Sequence, residues 1–100
     1  MIGKHLKTIA DHYGLDAQLN MLQEECAELI QAASKYKRNG SYSIIEEMAD
    51  VYIMLDQVAY LLDKELPGEG EVKYSIGWWK KKKISRQLER IEKEIMTNGN

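Results

Sequence analysis

One cysteine, Cys26, stands in the 100 residues, so no intramolecular disulfide can form. It falls on an apolar stripe, where the expectation is a small buried hydrophobe rather than a nucleophile. No apolar run approaches the ~20 residues of a transmembrane span. The opening Met1-Ile2-Gly3-Lys4-His5 leads into polar residues, with no signal-peptide pattern. The expected setting is therefore the cytoplasm, with no membrane partner. No P-loop and no dinucleotide fingerprint occurs. The two histidines, His5 and His12, have no metal-type companion nearby and are expected at the surface. Charge excess is also lacking. Fourteen basic residues against sixteen acidic give a net charge of −2, which argues against general nucleic-acid binding.

What is present is helical patterning. With 44% hydrophobic residues, the chain can build one core, and a single domain over residues 1–100 is expected. Leu6, Ile9, Ala10 and Tyr13 share a face of a short helix over 4–13, which Gly14 stops. Asp16 is the expected cap of a second helix ending between Lys35 and Arg38. Ser43 and Glu46 form the spacing of a capping box at the start of a third helix, which runs to about Lys64. That helix carries the longest apolar stripe and is the expected centre of the core. Leu66-Pro67-Gly68 breaks it, and 65–75 reads as a loop. A fourth helix is expected over 76–96, with a narrow seam at Ile84, Leu88, Ile91 and Ile95. Tyr74, Trp78 and Trp79 suit anchoring of that helix or stacking on a base. The run Lys80 to Lys83 suits a solvated face or a polyphosphate. The expected fold is all-α, about four helices in an antiparallel bundle.

Two acidic stretches echo each other: Glu24-Glu25-Cys26-Ala27-Glu28 and Glu46-Glu47-Met48-Ala49-Asp50. Glu25/Glu28 and Glu47/Asp50 are each three residues apart, one helical turn. The apolar set of the second helix is Leu19, Leu22, Cys26, Leu29, Ile30 and Ala33. That of the third includes Ile44, Ile45, Met48, Val51, Tyr52, Leu55, Val58, Ala59 and Leu62. Glu25 lies roughly 90° and Glu28 roughly 150° from the centre of the first stripe; Glu47 and Asp50 repeat both offsets, in the same sense, on the second. The turn at Asn39-Gly40-Ser41 is short, which makes the two helices antiparallel neighbours. Equivalent margins then fall on one side of the hairpin, and four carboxylates line it. So many like charges require compensation, and a hard divalent cation with oxygen ligands supplies it.

The pattern EE-x-x-E followed by E-x-x-D resembles the MazG-type nucleoside triphosphate pyrophosphohydrolases of the all-α NTP pyrophosphatase superfamily. The matching residues are Glu24, Glu25, Glu28, Glu47 and Asp50. The resemblance implies hydrolysis of a nucleoside triphosphate to monophosphate and pyrophosphate. By residue match, Glu25, Glu28, Glu47 and Asp50 would hold Mg²⁺, with Mn²⁺ as the alternative, between the second and third helices. Glu24 would orient or deprotonate the attacking water, and Lys80 and Lys83 would meet the phosphates. Self-association as a dimer or tetramer is expected, from the family and from the breadth of the third helix's stripe. Two other readings compete. A phosphoribosyl-ATP pyrophosphatase shares the scaffold and the acidic residues. A non-catalytic helical partner protein would leave the acidic margin solvated and dock another helix on the fourth helix's seam.

Overall fold

The computed structural model describes residues 2–66, 68 and 71–98. They form four α-helices and, among the described residues, no strand: α1 (Ile2–Tyr13), α2 (Leu15–Asn39), α3 (Ser43–Glu65) and α4 (Val72–Asn98). The chain divides into two units, Met1–Pro67 and Gly68–Asn100.

In the first unit α2 and α3 form the most extensive pairing, and α1 packs mainly on α3. The loop at 40–42 is too short to allow any but antiparallel neighbours. Gly40 closes α2 in the left-handed region (φ 71°), its N–H donating to the Tyr36 carbonyl at 2.8 Å. Gly14 (φ 85°) separates α1 from α2 in a single residue, a conformation that an L side chain would strain. Neither expected side-chain cap forms. Asp16 lies inside the first turn of α2, behind Gly14 at the N-cap. Tyr42 is the N-cap of α3, and Ser43 pairs with Ser41 instead of joining a capping box with Glu46.

The core is thin. Ala10, Ala32, Met54, Val58, Ala59 and Leu61 are the buried apolar residues, and no large side chain among the described residues is fully enclosed. α3 supplies four of the six, as the sequence predicts. Burial of Met54, Val58 and Leu61 contributes about 1.5–3 kcal/mol each. On the outside, Asp11 ties α1 to α3. Its carboxylate accepts hydrogen bonds from Lys64 Nζ (2.6 Å) and the Tyr60 hydroxyl (2.8 Å), which in that order lower its pKa.

The faces turned inward differ from the longest apolar stripes. On α2 the inner set is Gln18, Leu22, Glu25, Leu29, Ala32 and Ala33. On α3 it centres on Glu47, Val51, Met54 and Val58. The inward direction is rotated from the expected stripe by roughly 60° on α2 and roughly 90° on α3, toward the carboxylates in both cases. Cys26, expected to be buried, is exposed for this reason. Each helix carries a second apolar stripe that stays outside. On α2 it includes Leu19, Cys26 and Ile30; on α3 it is Ile45, Met48, Tyr52 and Leu55, at 63%, 43%, 66% and 49% exposure.

In the second unit, α4 starts four residues earlier than the pattern suggests, with Gly77 inside it. Trp78 and Trp79 meet edge to face at 4.9 Å, and Lys82 lies over both rings at 4.9 and 5.7 Å. Ile84, Leu88, Ile91 and Ile95 are exposed. No helix among the described residues is long and apolar enough to cross a membrane.

Candidate metal centre

The rotation of α2 and α3 decides which carboxylates meet. Glu25 lies roughly 30° from the inward direction of α2, while Glu28 stands at its margin, roughly 90° away. Glu47 points along the inward direction of α3. Carboxylate oxygens of Glu25, Glu47 and Asp50 consequently lie within 4.8 Å of one another. All three side chains are half-buried. Glu28 is exposed and adjoins them, close enough for its charge to raise both Glu25 and Glu47. Glu24 is exposed and outside the trio. Lys80 and Lys83 lie on α4, in the second unit, and both are exposed.

The electrostatics of the cluster are uncompensated. Desolvation comes first, followed by the charges of Glu28, Asp50 and Glu47; together they push the Glu25 carboxyl from 4.5 to about 7. Glu47 is raised too, by desolvation and then by Glu28 and Asp50. Oε2 of Glu25 and Oε2 of Glu47 are enclosed with no hydrogen-bond donor. Enclosed, unpartnered, all-oxygen donors of like charge fit a hard divalent cation.

A cavity of about 590 Å³ opens beside the cluster. Glu25 and Asp50 stand in its wall, and Ile9, Met21, Ile53 and Met54 make much of the rest. Gln18 and Gln57 also line it, at 3% and 2% exposure. Gln18 Oε1 has no hydrogen-bond partner. A buried carbonyl left unpaired costs about 1–3 kcal/mol. These residues escaped the sequence reading because Gln18 and Gln57 are polar, and a count of apolar periodicity skips them. The available signal was their place: Gln18 falls seven residues before Glu25 and Gln57 seven after Asp50, two turns from a carboxylate on the same side of each helix.

Comparison with protein-family models, with curated proteins and with solved structures yields no match for this chain.

The cluster sets a pH dependence. Glu25 binds its proton more tightly folded than unfolded, so its contribution to stability is present in full below about 4.5 and is lost as pH rises through about 7. In chelator, the melting midpoint is therefore higher at about pH 5.5 than at about pH 8, and Glu25→Gln flattens the difference. Saturating Mg²⁺ raises the midpoint at the higher pH and has little effect at the lower, because the proton and the cation compete. Melting curves with and without the ion check all three expectations.

Proposed function

We propose that the protein is an Mg²⁺-dependent nucleotide pyrophosphohydrolase, acting on a nucleoside triphosphate in the cytoplasm. The observation that carries this reading is the meeting of Glu25, Glu47 and Asp50 across α2 and α3, at the edge of a ligand-sized cavity. Glu25, Glu47 and Asp50 would hold the ion, with Glu28 completing the set from the margin. The chemistry such an ion supplies when bound is charge neutralisation on phosphate oxygens and activation of water.

The chain's own residues do the rest. The cavity beside the carboxylates takes the nucleoside end, so the phosphate nearest the sugar lies nearest the cluster. Water attacks the α-phosphorus, the bond from that phosphorus to the bridging oxygen breaks, and pyrophosphate leaves with the electron pair. Glu24 is assigned the proton released by the water. In ¹⁸O-labelled water the label then appears in the nucleoside monophosphate and not in pyrophosphate. Glu28→Ala or Asp50→Ala lowers turnover by at least about a hundredfold while the helical content is kept. Label in pyrophosphate, or wild-type turnover in either variant, overturns the assignment.

Self-association belongs to the same proposal. The stripes left outside, around Leu19, Cys26 and Ile30 on α2 and Ile45, Met48, Tyr52 and Leu55 on α3, fall on one side of the antiparallel pair. A two-fold contact would bury each against its own copy. A dimer or tetramer is expected, against 11.6 kDa for one chain. Tyr52→Glu shifts it toward the monomer, because a carboxylate at the centre of such an interface is desolvated without a partner. Light scattering at micromolar concentration measures this, and a monomeric wild type contradicts it.

A further inference from the structure

We propose that α4 binds single-stranded nucleic acid along a row of cations headed by Trp79, a site in which the α2–α3 carboxylates take no part. The net charge of −2 averages two unlike halves. Met1–Pro67 holds six basic and eleven acidic residues, −5, while Gly68–Asn100 holds eight and five, +3. The basic surplus is gathered on one side of a helix. At roughly 100° per residue, Trp79, Lys82, Lys83, Arg86, Arg90 and Lys93 fall in one sector of α4 roughly 100° wide. Between Trp79 and Lys93 no other residue enters that sector, and the acidic Glu89 and Glu92 lie outside it. All six residues are exposed. Lys83, Arg86 and Arg90 share a recess of about 150 Å³ with Gln87. Among the described residues, none of these three cations pairs with a carboxylate.

The length of the row and the ring at its head select the ligand. From Lys82 to Lys93 the helix rises about 16 Å. A strand with a phosphate every ~3.4 Å of its axis lays about four or five along that row, so a single nucleotide cannot meet all of it. Trp79 meets Trp78 edge to face at 4.9 Å, and Lys82 and Lys83 lie over its ring at 5.7 and 5.9 Å. An exposed aromatic thus stands among the cations. It can stack on an unpaired base, a contact that a duplex, with its bases already stacked, does not offer. Sequence-tolerant binding follows, since every base has a face. An acidic peptide would pair with the cations but leave the ring unused. An anionic membrane fits less well, because a helix lying on a bilayer carries its tryptophans with its apolar side. Here Trp79 stands roughly 150° round the helix from the seam of Ile84, Leu88, Ile91 and Ile95.

The test adds the full chain, in chelator, to a labelled single strand of about 16 nucleotides and mixed sequence, as RNA and as DNA, and follows its fluorescence anisotropy. A duplex of the same length, polyglutamate, and vesicles of phosphatidylcholine with phosphatidylserine are the other probes. The single strand is expected to bind with a Kd of about 100 µM or tighter at about 50 mM salt, and log affinity falls against log salt with a slope of about −3. The triple variant Lys83→Gln, Arg86→Gln, Arg90→Gln weakens binding by at least about tenfold and makes the slope shallower by about 2, which a purely structural role would not do. Trp79→Ala weakens single-strand binding by about tenfold and leaves duplex binding unchanged. The strand bound more tightly names the source, and equal binding of RNA and DNA supports the inference as well. Failure to bind either strand overturns it. So does wild-type affinity in the triple variant or in Trp79→Ala, each helical by circular dichroism. Duplex or polyglutamate bound as tightly as the single strand overturns it in favour of a general cationic surface. Vesicles bound more tightly than the strand make α4 a membrane-surface helix instead.

Discussion

Like charges brought together between α2 and α3 are the constraint the rest of this structure answers to. Glu25, Glu47 and Asp50 approach to within 4.8 Å, with Glu28 alongside, and two of their oxygens are enclosed without a donor. Nothing in their own chemistry favours that arrangement. It is held by what surrounds it: Ala32 on α2, Met54, Val58 and Leu61 on α3, and Ala10 on α1, whose burial fixes the rotation of each helix. The exposed Asp11 contacts to Tyr60 and Lys64 add a clasp between α1 and α3. The fold's small core thus holds acidic groups together against their mutual repulsion.

That constraint explains the odd distribution of apolar surface. Turning the carboxylates inward turns other apolar residues outward, so Ile45, Met48, Tyr52 and Leu55 stand exposed along α3. It also opens the cavity, because the space between α1, α2 and α3 is lined by Gln18 and Gln57 where a core would carry leucines. The acidic cluster, the cavity and the outer apolar face are thus three results of one choice of helix rotation.

How much of this the sequence disclosed follows from what periodicity can detect. The helices and their order were legible, because turns at Gly14 and Asn39-Gly40 separate strong apolar patterns. The pairing of the two acidic stretches was legible from their equal offsets. Which margin of each stripe turns inward was not, since both expected stripes are split: Leu22, Leu29, Val51 and Val58 face the interior, while Cys26, Ile30, Met48 and Tyr52 stay outside. Cys26 and the inner placement of Glu47 follow from that ambiguity. The caps assigned to Asp16 and Ser43 were lost to backbone geometry at Gly14 and Tyr42, which composition does not register. Gln18 and Gln57 were invisible to any count of apolar residues.

The central claim is that these carboxylates form a divalent cation site. Titration of the metal-free protein with Mn²⁺, followed by loss of the free-ion electron paramagnetic resonance signal, tests it without reference to any substrate. The claim predicts saturable binding that Mg²⁺ displaces, that weakens as pH falls through about 7 with the protonation of Glu25, and that Glu47→Gln reduces by at least about tenfold. Mn²⁺ binding that is weak, unsaturable and equal in wild type and Glu47→Gln would contradict it.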